Sequence, residues 1–402
     1  MRVLRFSRYL KQHGWNPIVL CVDGGAKHEP RDQALLKEVP GDIVVERVRC
    51  LEPDNYSDSW EHPPEKIVRN LFKTFDKVLF PDDRALWIKP VTRRAIRLIK
   101  EYDIKVVWAT AQPWSTLVAG RNIKRATGVP LVLDFRDDWT TSNADFRKVK
   151  RLAKEQALEQ TVLEEADAVI SVTPHIVEQL KARAPRNLSS EQFHYIPNGF
   201  DPSHFDTPPP PREEQSFTIV HAGGLYHLRP ITPLLQILSA WFELAPERAQ
   251  NVRVLLAGRT TEEVKKEIED SPHSNYIECL GFLEHRKVRE LMMSADLNLL
   301  MIEQVKTAPW LFTGKVFEYI GAQKPILMLG PDPSPLADLV RETGLGTVSS
   351  YQAPKETAKL LESLYSGASD FCPRPNEESI QCYNAYHQTG QLAQIFREVT
   401  HE

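Results

Sequence analysis

Short apolar runs alternate with amphipathic stretches along most of this chain. The runs at 17–22 (PIVLCV), 43–48 (IVVERV), 105–109 (KVVWA), 130–134 (PLVLD), 168–172 (AVISV) and 193–196 (FHYI) read as strands. Several are continuous rather than alternating, as parallel strands covered on both faces are. The stretches between them, 89–102, 114–127 and 147–166, carry helical spacing. Strand–helix alternation of this kind predicts a parallel α/β sheet.

The segment 206–215, DTPPPPREEQ, interrupts the pattern. Four consecutive prolines can continue neither a helix nor a central strand, so the segment reads as a stiff linker and places a domain boundary there. A second α/β set follows, with strands at 217–222, 252–257, 276–280, 296–301, 325–329 and 346–349. Its helices are expected near 230–245, 261–270, 285–294, 314–322, 334–343 and 354–366. A last helical stretch, 376–400, lies beyond the second sheet. The expected domains are 1–205 and 206–377, with 378–402 as a C-terminal helix that packs back on the first.

The chain opens on an amphipathic helix, Arg2 to His13, with Val3, Leu4, Phe6 and Leu10 apolar and Gly14 as its C-cap. Doubly wound domains begin with a strand whose following turn binds ligand. The first domain is therefore expected to lack its opening strand, and a start codon placed downstream of the natural one would account for that.

Composition adds limits. The 402 residues are 42% hydrophobic and 26% charged, which suits two or three globular domains. A net charge of −4 and a pI near 6.3 point away from a dedicated nucleic-acid binder. The mixed segment 146–155 reads as a solvated helix face or as a patch facing phospholipid. Five widely spaced cysteines (Cys21, Cys50, Cys279, Cys372 and Cys382) with no CxxC fit reduced thiols in a cytosol. No run of eighteen apolar residues occurs, so a soluble cytoplasmic protein is expected, with peripheral membrane association left open.

Four segments carry candidate chemistry. HAGGLYHLR, 221–229, follows a strand and precedes a helix. Gly223 and Gly224 allow a tight turn and close backbone approach, the next helix start favours a phosphate, and Arg229 supplies a charged fork. Read on its own, the same segment is also a plain turn. In TGKVFEYI, 313–320, Gly314 precedes a helix that carries Lys315 in its first turn and Glu318 one turn later. The pair reads as a phosphate cation and a carboxylate for ribose hydroxyls, or as an exposed helical ion pair. In LDFRDDW, 133–139, Asp134, Arg136, Asp137 and Asp138 crowd the end of a strand beside Trp139. They form a ligand loop, or Asp134 or Asp137 simply fixes Arg136. IPNGFD, 196–201, places a turn at Asn198. His221, His227 and Tyr226 are further candidates. The twelve histidines form no HExxH and no close carboxylate cluster, so no metal site is expected.

Together and in this order, the four segments resemble bacterial retaining glycosyltransferases of family 4. DFRDDW resembles their DFRDPW signature, IPNGFD their interdomain turn, HAGGLYHLR the loop opening their donor domain, and TGKVFEYIGAQKPIL their donor segment. The resemblance implies a GT-B fold, two Rossmann-like domains facing each other across a cleft, and covers essentially the whole chain. It implies that the second domain binds a nucleoside-diphosphate sugar, the only co-substrate, without a metal or other cofactor. Arg229, Lys315 and Glu318 would carry catalysis, the cations neutralising the diphosphate and Glu318 holding ribose. Gly223, Gly224, Tyr226 and Gly314 would complete donor binding. Asp134, Arg136, Asp137, Trp139 and Asn198 would serve the acceptor side, a glycan or lipid-linked acceptor of surface polysaccharide synthesis, at the inner face of the membrane.

The chain departs from the family pattern in three places. Trp310 stands eight before Glu318, where many relatives have a second glutamate. Pro230, Ile231 and Thr232 follow Arg229, where many have a lysine. The opening strand with its glycine-rich loop is not found. A nucleotide-sugar epimerase and a non-catalytic nucleotide-sugar-binding scaffold are the competing readings.

Overall fold

The computed structural model describes residues 1–23, 37–50, 79–140, 149–209, 216–304, 313–367 and 374–401. The chain divides into two compact units. The first comprises the residues up to Pro197 together with Gln388 onward, and the second runs from Asn198 to His387.

In the first unit, helix α1 (Arg2–Leu10) is followed by the parallel pair β1 (Ile18–Asp23) and β2 (Val44–Arg49). Helix α2 (Ile88–Tyr102) leads to β3 (Val107–Ala111), α3 (Ser115–Thr127) to β4 (Leu131–Phe135), α4 (Val149–Leu163) to β5 (Ala168–Ser171), and α5 (Pro174–Ala182) to β6 (Phe193–Tyr195). The last four strands form one parallel sheet in the order β3-β4-β5-β6, separate from the β1-β2 pair. β4 and β5 are buried along their whole length, which is why they read as unbroken apolar runs. Leu131, Leu133 and Phe135 face a core shared with Leu117, Val162 and Leu180, and Val132 and Ile170 face α1 through Phe6 and Leu10. Helix α5 escapes the apolar pattern, although Thr173 caps it by accepting from Ile176 N and Pro174 occupies its first turn.

Arg2 ties α1 to the carboxyl edge of this sheet. Its Nε and Nη2 reach Asp134 at 2.9 and 3.2 Å, and Nη1 and Nη2 donate to the carbonyls of Pro197 and Ile196 at 2.8 and 3.0 Å. Arg2 is 6% exposed and Asp134 fully buried, so this is an interior ion pair whose guanidinium also donates to two backbone carbonyls.

The second unit holds β7 (Phe217–Ala222), α6 (Thr232–Leu244), β8 (Val252–Ala257), α7 (Glu262–Glu269), β9 (Ile277–Gly281), α8 (His285–Ser294), β10 (Leu297–Met301), α9 (Lys315–Ala322), β11 (Ile326–Leu329), α10 (Pro335–Glu342), β12 (Gly346–Ser349) and α11 (Pro354–Tyr365). Its strands make one parallel sheet, β12-β11-β10-β7-β8-β9. The first strand, β7, sits in the middle, and the order reverses between β7 and β10. Ligands of open α/β sheets bind outside the carboxyl ends of the strands at such a point.

Two boundaries differ from the sequence reading. The units part between Pro197 and Asn198, not at the proline run, whose residues 210–215 lie outside the described residues. Phe200 exchanges backbone bonds with Tyr383 and Ala385, both at 2.9 Å, and packs with Phe205 at Gly321, which draws 198–205 into the second unit. The same bonds break the expected helix 376–400 into α12 (Glu377–Gln381) and α13 (Ala385–Thr400). Only from Gln388 on is the chain part of the first unit, where Phe396 meets Trp15 with ring centroids 5.3 Å apart and Arg397 donates to the His13 carbonyl.

Candidate functional site

At the carboxyl end of the second sheet, β7 and β10 pair only through Leu297↔Ile219 and Asn298↔Val220, and then part. The Tyr319 hydroxyl, from α9, enters the gap. It accepts from Ala222 N at 2.8 Å and donates to the Leu299 carbonyl at 3.2 Å, replacing the ladder bonds the strands no longer make. His221 Nδ1 also meets the Leu299 carbonyl, at 2.9 Å. A carbonyl only accepts, so Nδ1 carries the proton and Nε2 presents a bare lone pair. Among the described residues, Nε2 is buried without a hydrogen-bond partner. Burial first, then the Lys315 and Arg229 cations, pushes the imidazole down to about 3. His221 is thus neutral near pH 7.

Gly223 and Gly224 turn the chain just past β7. A Cβ built on Gly223 would lie 1.5 Å from Lys315 Nζ and 2.4 Å from its Cε, at a φ of +149°. The lysine ammonium therefore lies across the Gly223 α-carbon, in space that only glycine leaves free. Gly258, at the end of β8, meets the same loop from behind, since a Cβ there would lie 2.4 Å from the Gly223 carbonyl oxygen.

Tyr226 and Arg229 close a turn through Arg229 N to the Tyr226 carbonyl at 2.7 Å. The Arg229 guanidinium lies 5.4 Å from the Tyr226 ring centroid, donates to the Gly224 carbonyl at 2.9 Å and pairs with Glu303 at 3.2 Å. Tyr226 also donates its hydroxyl to Glu303. Burial and the neighbouring Arg229 cation bring Lys315 down to about 8, with Glu303 acting in the opposite direction. Two partly desolvated cations, one carboxylate and open glycine backbone thus meet at the switch point. This is an arrangement suited to a multiply charged anion.

Gly314 is exposed, and a Cβ there would meet nothing within 4 Å. Glu318 is 6% exposed and Lys315 half-buried, so the alternative reading of these two as an exposed helical ion pair does not hold. Trp310 lies outside the described residues. Sequence reasoning missed Glu303 and Tyr319. An acidic residue just past an apolar strand, and a tyrosine one turn after Lys315, were the available signals.

The first unit sorts its candidates differently. Asp134 belongs to Arg2, not to Arg136. Trp139 is fully buried and stacked on Trp114, centroids 5.0 Å apart and planes within 1°, so it supports the loop from inside the core. Asp138 takes Arg183 at 2.9 Å, and Arg183 also takes Glu159 at 2.8 Å. Only Arg136 and Asp137 reach the loop surface. Arg136 donates to the Ala111 and Gln112 carbonyls, and Asp137 accepts from the Gln112 side chain at 3.2 Å. Asn198 falls in the second unit and is half-buried.

The sequence model of Glycosyltransferase Family 4 matches residues 1–204. No curated protein matches the chain. Among solved structures, a glycosyltransferase from Rickettsia africae superposes with a TM-score of 0.61 at 14% identity, over 99% of this chain and 94% of that one. Sucrose-phosphate synthase from Thermosynechococcus elongatus gives 0.61 at 14%, over 98% and 92%. Anabaena Alr3699/HepE, solved in complex with UDP-glucose, gives 0.54 at 16%, over 95% and 98%. These likenesses assign the GT-B fold.

Proposed function

The chain belongs to Glycosyltransferase Family 4, and from that premise we propose that it transfers a glycosyl group from a nucleoside-diphosphate sugar bound at the β7–β10 switch point. The observation that carries this reading is the Lys315 ammonium against the Gly223 α-carbon, beside Arg229. A partly desolvated cation pair offset, among the described residues, by the carboxylate of Glu303 gains from an added anion, and a diphosphate brings that charge along the glycine backbone. Anabaena Alr3699/HepE, of the same fold, is described with UDP-glucose.

In the reaction, the acceptor hydroxyl oxygen bonds to the anomeric carbon as the carbon–oxygen bond to the diphosphate breaks. The bonding pair leaves with the diphosphate, and the hydroxyl proton passes to its released oxygen. Arg229 and Lys315 face the charge that develops there, and because they are already in place the stabilisation costs little reorganisation. In this reading no metal is needed, Glu318 holds the ribose, and Tyr226 with Gly224 and Gly314 frames the donor. Arg136 and Asp137 stand on the acceptor side. Retention of configuration, a glycan or lipid-linked acceptor of surface polysaccharide synthesis, and work at the inner membrane face complete the proposal. Their support is the sequence resemblance.

Calorimetric titration with a panel of nucleoside diphosphates and their sugars tests it. Selective binding that weakens more than about tenfold, or about 1.4 kcal/mol, in Lys315→Ala is expected. A change under about twofold takes Lys315 out of the site.

A further inference from the structure

Glu303 lies just past β10, and backbone bonds fix the chain on both sides of it. The Ile302 carbonyl accepts from the Tyr351 hydroxyl, Ile302 N donates to the Leu329 carbonyl at 3.0 Å, and Gln304 N donates to the Leu228 carbonyl at 2.8 Å. The facing turn, 226–229, is held by backbone as well. Arg229 N donates to the Tyr226 carbonyl at 2.7 Å, and Leu225 N to the Arg259 carbonyl at 2.9 Å. Neither segment depends on the Glu303 carboxylate for its place, so the work of that carboxylate lies with the charges around it.

The contact between Arg229 and Glu303 is half made. Arg229 Nη2 reaches one oxygen, Oε1, at 3.2 Å, and the same oxygen accepts from Tyr226. Among the described residues, the adjacent Nε of Arg229 is buried with no hydrogen-bond partner. Arg2 shows the completed form of this contact, since its Nε and Nη2 take both oxygens of Asp134. The Asp134 side chain is fully buried, whereas that of Glu303 is a quarter exposed. A bare buried donor is unfavourable until an acceptor reaches it. A phosphoryl group carries several oxygens and can take Nε and Nη2 together, which one shared carboxylate oxygen does not. Arg229 stays aimed through such an exchange, because its Nη1 is held separately by the Gly224 carbonyl at 2.9 Å. Lys315 feels the same carboxylate, which favours its ammonium.

We propose that Glu303 is a resident counter-ion of the diphosphate site, holding Arg229 while the site is empty, yielding it to the entering anion and taking it back as the product leaves. The inference deepens the donor reading and rests on it. The carboxylate and the diphosphate compete for one edge of one guanidinium. Glu303 therefore weakens anion binding, the opposite of what a residue that contacts the ligand favourably does. The leaving nucleoside diphosphate carries more charge than the donor, and two uncompensated cations would retain it. A carboxylate already fixed beside them eases its release.

Calorimetry on the full chain with UDP, dTDP, GDP, ADP and CDP, each titrated alone, first finds the diphosphate that the parent binds. Glu303→Gln should bind that nucleotide about fivefold tighter or more, because glutamine keeps the size and an acceptor oxygen but removes the charge. Glu303→Ala should tighten it too, and gives the same readout should the glutamine variant not fold. A carboxylate that merely braced the turn would leave the glutamine variant unchanged and make the alanine variant bind more weakly. The gain should also follow ligand charge, larger for the diphosphate than for its monophosphate and absent for the nucleoside. Unchanged or weaker binding in both variants overturns the proposal, and so does an equal gain for diphosphate and nucleoside. The donor reading survives either result if Lys315→Ala still weakens the same nucleotide. A parent that binds none of the five, or binds no better than Lys315→Ala, takes down the donor reading and this inference together.

Discussion

The two units share one architecture but differ at its centre. In the second, β7 completes the sheet, and the turn that leaves it carries Gly223, Gly224 and Arg229 to the switch point. In the first, among the described residues, β1 pairs with β2 and β3 with β4 but β1 and β3 not with each other, and the polar residues are largely committed to each other: Arg2 to Asp134, Arg183 to Asp138 and Glu159. The contrast separates two uses of buried charge. In the first unit, opposite charges close on one another and hold the fold. In the second, like charges sit together incompletely neutralised, at the expense of stability, and are left able to bind.

The largest effect should come from breaking a closed pair. Arg2→Ala leaves Asp134 buried without its counter-charge, and a loss of about 3–5 kcal/mol in urea unfolding of the first unit is expected, with donor affinity within about twofold of the parent. A loss under about 1 kcal/mol would mean that α1 is held by packing alone. Next comes Gly223→Ala. The new methyl occupies the lysine's space, and the φ of +149° disfavours any side chain. Donor affinity should fall more than about tenfold. Combined with Lys315→Ala it should fall little further, because both changes remove one interaction. Additive losses in calorimetry would separate the two residues.

The smallest effect is a pH dependence confined to the second unit. Lys315 titrates at about 8 when the site is free, below its ordinary value near 10.5. An anion that requires the charged form should bind progressively more weakly as pH rises above about 8, by up to about tenfold per unit, and Lys315→Ala should flatten that decline. Between about 8 and 10.5 the unfolded chain holds this proton and the folded chain does not. The lysine's contribution therefore makes the free protein more stable as pH rises through that window. A donor affinity that is flat from pH 7 to 10 would contradict the cation's role.

Much of this was legible along the chain. Continuous apolar runs such as PLVLD and AVISV mark strands covered on both faces, and every one of the twelve anticipated strands is found within a residue or two. Gly223, Arg229 and Lys315 could be picked out because glycine pairs after strands and cations at helix starts are local signals. Asp134 and Trp139 could not be sorted from Arg136 and Asp137. Neighbours in a loop look alike in sequence, whereas burial assigns two of them to the interior and two to the surface.

The sequence by itself determined the alternation of strands and helices, the doubling of the α/β unit and the family, because periodicity and short motifs are properties of adjacent residues. Tertiary structure alone decided three matters. It set the partnership of Arg2 with Asp134 across 132 positions, and the place of Glu303 beside Arg229. Among the described residues, it also parted β1 from β3 beside an apolar cavity of about 160 Å³. Each depends on which distant backbone edges and charges are brought together, and distance along the chain carries no record of that.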